Sequence, residues 1–410
     1  MEREAVLVGI DVGTTKVTTL IGEVGRTGDV SIIGYGIGPS VGMKKGMVAN
    51  IDQTVNSIAS SVEKAERLSG YKISSAFVAV GGSHISSQNS RGVVAVSGHK
   101  REVSREDVAR ATEAAKAVQV PSNREMLHVI PRGYIVDGQE GIKDPLGMSA
   151  VRLEVETHIV AGAATSVQNL SKCVTTAGVQ IDELVISSLA AAEAILTDTE
   201  KELGVLVADI GGGTTDLAVF VDGAVYHTAV LPVGGINVTN DVAIGLRTSL
   251  NLAEEIKIKH GTANLADVQP EELLNVAVLG DGGGQTIQRR KLCEIIEARM
   301  SEIYSLVREE VKRSGHAGML PAGAVLTGGG ARLAGADALA RDALDMPVRI
   351  GSPQGVGGLM DQLSNPAFST PIGLVLWGAH HIGEEPIGYG GNGVSPLSRV
   401  GEWLRNLFPG

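Results

Sequence analysis

At 410 residues the chain has material for roughly two to four domains, and its composition, 43% hydrophobic but only 3% aromatic, means that Val, Ile, Leu and Ala must build the cores. A net charge of −11 without any long basic block argues against nucleic acid as a partner. No basic leader with an apolar stretch and no run of about 18 uncharged apolar residues occurs, so the expectation is a cytoplasmic protein that does not span a membrane.

The apolar run 5–10, the segment Asp11-Val12-Gly13-Thr14-Thr15-Lys16 and the apolar run 17–21 read as a β-hairpin with the polar stretch as its turn. A strand over 30–37 and an amphipathic helix over 52–68 follow, the helix carrying Val55, Ile58, Ala59, Val62, Ala65 and Leu68 on one face and ending near Gly70. A strand over 75–80 runs into Gly81-Gly82. The character then changes. Residues 93–96 are strand-like, Ser104 is an N-cap with Asp107 at the box position of a helix reaching Val118, and 127–136 and 151–160 read as strands. This β-α-β-β unit, 84–162, has no nucleophile pair, glycine loop or metal-ligand cluster, and reads as an inserted interaction module. A helix over 166–177 and a strand over 184–186 return to the first domain. Cys173 and Cys293 lie far apart in helical contexts and read as small buried side chains; no histidines have metal-ligand spacing.

A second domain opens near Leu203 and repeats the first hairpin: an apolar run over 205–208, then Asp209-Ile210-Gly211-Gly212-Gly213-Thr214-Thr215-Asp216, then an apolar run over 217–221. Pro232-Val233-Gly234-Gly235 is a turn before a helix over 237–246. In the next helix, 252–260, Glu254 and Lys257 stand one turn apart. A long helix over 288–313 carries Arg289, Arg290, Lys291 and Arg299. Past a short strand at 324–326 comes a third glycine cluster, Leu326-Thr327-Gly328-Gly329-Gly330-Ala331-Arg332-Leu333. The Gly-rich stretch 383–394 reads as a flexible linker, with Ser395-Pro396 as the cap and first position of a last helix. In that helix Leu397, Val400, Trp403, Leu404, Leu407 and Phe408 form one apolar stripe, and Arg399 and Arg405 reach anionic headgroups. It is too short to span a bilayer, so it reads as an amphipathic membrane-surface helix; the alternative is docking on its own domain.

The chemistry follows from the turns. Glycines let successive backbone N–H groups point into one concavity suited to phosphate oxygens, threonine hydroxyls add donors, and aspartate can hold a hydrated Mg2+ ion. Two such loops face to face would clamp a nucleotide tail: Gly13, Thr14 and Thr15 from one side, Gly211, Gly212, Gly213, Thr214 and Thr215 from the other, with Asp11 and Asp209 on the metal through water. Gly328, Gly329 and Gly330 allow close approach to the adenosine. Lys16 either neutralises phosphate charge or projects away from the site.

These three motifs in this order resemble the actin, heat-shock chaperone and sugar-kinase superfamily. That likeness implies an α/β, actin-like two-domain ATPase fold of duplicated ribonuclease-H-like domains closing on ATP, with Gly234 and Gly235 near the hinge and Glu254 and Lys257 on the ribose. A narrower resemblance covers essentially the full length. Pro39-Ser40-Val41-Gly42-Met43-Lys44-Lys45-Gly46, Gly82-Ser83-His84-Ile85, Leu127-His128-Val129-Ile130-Pro131, Gln139-Glu140-Gly141-Ile142-Lys143-Asp144-Pro145-Leu146-Gly147 and the stretches 208–216, 325–330 and 369–378 are similar to the FtsA family of bacterial cell-division proteins. The resemblance implies subdomains 1A (1–83 and 163–200), 1C (84–162), 2A (201–240 and 305–382) and 2B (241–304), followed by the linker and the membrane-targeting helix (395–410).

It also implies a role: polymerising, tethering FtsZ filaments to the cytoplasmic membrane at the division septum, and recruiting later division proteins through the 84–162 module. The C-terminal peptide of FtsZ is expected on 2B, where Arg289, Arg290, Lys291 and Arg299 form either an acidic-peptide surface or an ordinary solvated basic face. Efficient ATPases of the superfamily place Gln or Glu at the first connecting segment; here it is Ile186-Ser187-Ser188-Leu189-Ala190, with Glu193 past the loop. The expectation is tight ATP binding with slow turnover. The alternatives are a pilus-assembly-type scaffold ATPase of the same fold and a sugar or acid kinase, for which no catalytic Asp base stands out.

Overall fold

Residues 5–97, 101–117, 120–277 and 284–381 are described by the computed structural model; the linker and terminal helix expected over 383–410 lie outside them. The chain begins with an antiparallel meander, β1 (Ala5–Val12), β2 (Lys16–Val24) and β3 (Val30–Pro39). In β3 burial alternates residue by residue, as one face of a sheet requires. The short pair β4 (Met43–Lys44) and β5 (Met47–Val48) leads into α1 (Ile51–Ser69). Asn50 caps α1 by accepting from the Gln53 N–H at 3.0 Å, a contact worth about 1 kcal/mol, and Gly70 at φ 71° ends it. Ile58, Val62 and Ala65 are buried as expected, whereas Leu68 stays exposed and the small polar Ser57 and Ser61 take part of the contact face. Small residues are needed there because α1 crosses β3 at Gly36, where a Cβ would stand 1.8 Å from the Ser61 carbonyl. β6 (Ser75–Val80) then joins β1 in parallel.

The inserted module holds β7 (Ser86–Ala95), α2 (Arg105–Lys116), β8 (Arg124–Val136), β9 (Gln139–Ile142) and β10 (Arg152–Ala163), in the sheet order β7-β10-β8-β9. Ser104 and Asp107 form the expected capping box. β9 adds a strand to the expected β-α-β-β pattern. Its polar sequence carries no strand signal, but Asp137 (φ 48°) and Gly138 (φ 89°) form the tight turn that folds it back on β8. The module also leans on the second domain, where Ser87 Oγ donates to the Thr228 carbonyl at 2.8 Å and His158 Nε2 lies 3.0 Å from Thr228 Oγ1.

The chain continues through α3 (Ala164–Thr176), β11 (Gln180–Ile186), α4 (Ser187–Ile195) and α5 (Asp198–Leu203) to β12 (Val205–Ile210), β13 (Thr215–Val221) and β14 (Ala224–Leu231). Next come α6 (Gly235–Leu246), α7 (Leu250–His260), the hairpin of β15 (Leu273–Ala277) and β16 (Gly284–Gln288), and α8 (Arg289–Arg313). The last elements are β17 (Ala324–Thr327), α9 (Ala336–Leu344), β18 (Val348–Ile350), β19 (Val356–Gly358) and α10 (Ser369–His380).

Duplication is visible in the sheets. The first contains the order β3-β2-β1-β6-β11 and the second β14-β13-β12-β17-β18, each three antiparallel strands followed by two parallel ones. One boundary differs from the expectation that 305–382 belongs to the second domain. β19 pairs with β3, and α10 packs on β1, β2, β6 and α4, so the chain returns to the first domain. Its apolar sequence explains the move: residues 369–378 are all buried, and such a helix needs cover on every side. Glycines on the sheet make the room, since a Cβ at Gly22 would stand 2.4 Å from Val375 Cγ1.

Candidate functional site

The two hairpin turns meet at the junction of the domains. A Cβ at Gly212 would stand 2.4 Å from Thr15 Cγ2, and one at Gly213 2.6 Å from Thr14 Oγ1, so the loops approach as closely as glycine allows. Each turn is closed by its own backbone, Gly13 N–H to Lys16 carbonyl at 3.0 Å and Gly211 N–H to Thr214 carbonyl at 2.9 Å. The third loop completes the cluster. Gly328, at φ 82°, lies so near Asp209 that a Cβ would fall 2.2 Å from Oδ1, and Gly330 packs on Ile210. All three glycine motifs therefore converge.

Carboxylates define the electrostatics. The two hairpins share a register in which Asp11 faces Thr18 and Asp209 faces Asp216, which puts a third acid beneath the second turn. Burial pushes Asp216 up to about 8, with Asp209 adding to the rise. Burial likewise raises Asp11 to about 7 against the pull of Lys16, and raises Asp209 against a hydrogen bond from Thr370 and the charge of Lys16. By accessible area Asp11 and Asp209 retain some solvent contact, so their shifts reflect protein packed around a partly open site. Asp216 Oδ2 accepts from Thr214 Oγ1 at 2.8 Å, but its buried Oδ1 has no partner within the protein. Lys16 is the cation among these acids: its ammonium donates to the Ala367 carbonyl at 2.7 Å and lies 3.4 Å from the centre of the Phe368 ring. Burial lowers it to about 8, opposed by Asp11 and Asp209.

A pH effect follows with a definite sign. Asp216 titrates near 8 in the fold but near its ordinary 3.8 in the unfolded chain, so the fold holds an extra proton between those values. The stabilisation is complete below the unfolded pKa and is lost as pH rises through about 8. The melting temperature of the nucleotide-free protein is expected to fall between about pH 6 and pH 9, and Asp216→Asn to flatten the fall. An equal slope in the variant would assign the titration elsewhere.

Several other residues take supporting places. Gly235 N–H and Ile236 N–H donate to the carbonyls of Gly211 and Gly212 at 2.9 and 2.8 Å, and a Cβ at Gly234 would stand 2.6 Å from Gly211 O. Gly234 and Gly235 thus hold the second turn from behind. Thr215 differs from the phosphate role expected of it, because it starts β13 on the core side, is fully buried and donates to the Val233 carbonyl at 2.9 Å. Glu254 and Lys257 form an ion pair at 2.7 Å, and Lys257 also donates to Thr239 Oγ1 at 2.9 Å and the Gly235 carbonyl at 3.3 Å, which ties α7 to the same turn. Glu193 is committed elsewhere, to Lys201 at 2.9 Å and His380 at 3.1 Å.

On α8 the basic residues are largely matched. Arg289 pairs with Glu272, Arg290 with Glu294, and Arg299 with Asp241 and Glu302, while Lys291 is exposed. Leu397, Arg399, Val400, Trp403, Leu404, Arg405, Leu407 and Phe408 lie outside the described residues. Asp216 and Thr370 stand beside these loops without having been singled out, and so does Ser187 of the first connecting segment. Asp216 ends the second motif, Thr370 donates to Asp209 Oδ2 at 2.7 Å, and Ser187 borders Gly81 together with Asp216. A separate cavity of about 400 Å3 opens where the inserted module, α4 and the β13–β14 turn meet, lined in part by Arg132, Lys201 and Trp377; it shares no residue with the three loops.

Comparison with known proteins decides the family. Residues 206–373 match the family described as "Cell division protein FtsA", and 82–161 match the "SHS2 domain inserted in FTSA". A cell division protein FtsA of Pseudomonas aeruginosa is 45% identical over 372 residues, covering 91% of this chain and 89% of the relative. That of Escherichia coli K12 is 39% identical over 413 residues, covering 98% of each. The chain belongs to the FtsA family of cell division proteins. The matched inserted domain coincides with the module of β7 to β10. Among solved structures, the PilM-PilN type IV pilus biogenesis complex aligns with a TM-score of 0.66 at 18% identity, covering 93% of this chain and 99% of that one. MreB5 of Spiroplasma citri bound to ADP aligns at 0.55 and 15% identity, covering 91% and 95%. These share the actin-like fold. The FtsA relatives, not the fold, set aside the pilus-scaffold and kinase alternatives.

Proposed function

We propose that this FtsA-family chain binds ATP with Mg2+ at the domain junction, polymerises, and tethers FtsZ filaments to the cytoplasmic face of the cell membrane at the division septum. The observation that carries the nucleotide reading is the convergence of the three glycine loops, the first turn on Gly212 and Gly213 and the third loop on Asp209. The donor set fits the metal: Asp11, Asp209 and Asp216 outnumber Lys16, and Asp216 Oδ1 is buried without a partner. Among the described residues no three acidic, imidazole or thiol groups converge closely enough to hold a metal directly, so magnesium would sit among water and phosphate oxygens. The solved MreB5 relatives are bound to ADP and to AMPPNP, and MamK forms a double helical filament, which supports the nucleotide and polymer readings. Turnover is slow, because the first connecting segment offers only Ser187 and Ser188 and Glu193 is held by Lys201 and His380.

Membrane contact falls to the amphipathic helix read over 395–410, on its apolar stripe and on Arg399 and Arg405; among the described residues no helix is long and apolar enough to cross a bilayer. One such helix binds weakly, by a few kcal/mol at most by our estimate (~0.8 kcal/mol per buried CH2), and a polymer presenting many copies binds by avidity. The C-terminal peptide of FtsZ docks on the small subdomain, with exposed Lys291 and Arg290 meeting its acidic groups while Arg289 and Arg299 brace the subdomain internally. Later division proteins dock on the 84–162 module. Co-sedimentation of FtsZ with liposomes tests the whole reading: the full chain with MgATP is expected to bring FtsZ down, and deletion of 395–410 to abolish this. Undiminished sedimentation after the deletion would refute the anchor.

A further inference from the structure

We propose that His128 of the inserted module, set against the free edge of β11, is a positioning residue for the Ser187-Ser188 joint, so that the module governs how the site distinguishes ATP from ADP. The inference rests on the nucleotide reading above.

β11 is the outermost strand of the first sheet, and its outer backbone groups need partners. β8 passes beside it, and one imidazole stands where another strand would be. His128 Nε2 accepts from the Ile186 N–H at 3.3 Å. An N–H at a strand edge, with no neighbouring strand to take it, is matched by the lone pair of a neutral imidazole. Burial keeps the ring neutral, lowering it to about 4. Acceptance at Nε2 places its proton on Nδ1.

Two further contacts stop the ring from turning. Glu183 Oε1 lies 3.8 Å from His128 Nδ1 while its Oε2 accepts from Trp377 Nε1 at 3.1 Å, and the Trp377 ring meets His128 edge-on at 5.6 Å.

Ile186 is both the last residue of β11 and the N-cap of α4, which has no side-chain cap of its own. The residue His128 holds is therefore the one that sets where Ser187 begins. A Cβ at Gly81 would stand 2.9 Å from Asp216 Oδ1 and 3.0 Å from Ser187 Oγ, so Ser187 looks onto the carboxylate beneath the second phosphate turn. Ser188 Oγ is buried and has no partner within the protein. On the nucleotide reading, the hairpins and the third loop would hold the part shared by ATP and ADP, and this joint, beside Gly81 and Asp216, would meet the terminal phosphate. Because the module is bonded to Thr228 of the second domain, a relative movement of the domains reaches Ile186 through His128.

Calorimetric titration of the full-length chain with MgATP and MgADP tests this. His128→Leu is expected to weaken ATP binding roughly tenfold, the worth of one misplaced hydrogen bond to phosphate, and to leave ADP binding unchanged. His128→Gln, whose amide again offers an acceptor and a donor, is expected to recover most of the preference. Equal loss for both nucleotides would mark a packing role only and overturn the inference, as would no change in either. If His128→Leu does not fold, His128→Asn, too short to reach the Ile186 N–H, takes its place with the same expectation. Wild-type protein that binds neither nucleotide would overturn the site reading itself, and this inference with it.

Discussion

Alanine at Gly328 is expected to weaken MgATP binding by at least about a hundredfold and to lower the melting temperature, whereas alanine at the adjacent Gly329 leaves the melting temperature unchanged. The contrast comes from two neighbouring glycines with opposite surroundings. Gly328 has φ 82°, a region that costs an L-residue about 1–2 kcal/mol, and its added Cβ would stand 2.2 Å from Asp209 Oδ1 and 2.6 Å from the Ile210 carbonyl. Neither neighbour can withdraw. Asp209 is held by Thr370 at 2.7 Å, and Ile210 is the last residue of a central strand. The third loop must therefore retreat from the second hairpin, which opens the one place where all three motifs meet. Gly329 is in the right-handed helical region and meets nothing within 4 Å, so a methyl group is accommodated there. Calorimetry on both variants, with melting curves to show that each is folded, checks the result. Full affinity in Gly328→Ala would mean that the third loop does not help hold the nucleotide.

How much of this was legible in the sequence depended on whether the signal was local. Both hairpin turns, α1 and its Gly70 end, the strand 75–80 and the Ser104–Asp107 cap are set by residues within a few positions of one another, and they appear where periodicity and turn chemistry place them. Assignments that depended on distant partners fared less well. β9 and β16 are short and polar, and the five residues of β15 are too few to declare a strand by alternation. The burial that sends α10 to the first sheet is a property of Gly9, Gly22 and α4, far away in sequence. Thr215 lies inside the motif yet faces the core, because strand alternation starts one residue before the turn appears to end. Asp216 was readable in principle: the residue facing Asp209 across the hairpin has to share its environment. The pairing of Arg289 with Glu272 and of Arg299 with Asp241 was not, since neither acid stands at helical spacing from its partner.

The second large effect is expected at Gly373, where alanine should lower the melting temperature by roughly 3–4 °C, the equivalent of about 3 kcal/mol in a chain of this size. α10 crosses α4 with no side chain between them. A Cβ at Gly373 would stand 1.7 Å from the Ala190 carbonyl oxygen and 2.4 Å from its carbon, so one whole helix has to move. Rotamer changes give no relief against backbone. Translation is blocked as well, because the other face of α10 lies on Gly9 and Gly22 of the sheet. The consequence extends beyond stability. α4 begins at Ser187, and α10 begins with Thr370 on Asp209 and with Ser369 Oγ 2.7 Å from Thr327 Oγ1, so both helices start at the site. Forcing them apart pulls Ser187 and Thr370 away from the hairpins, and if ATP binds there its affinity is expected to fall together with stability. Thermal denaturation and calorimetry on Gly373→Ala measure the two separately; an unchanged melting temperature would show that α10 and α4 do not meet backbone to backbone.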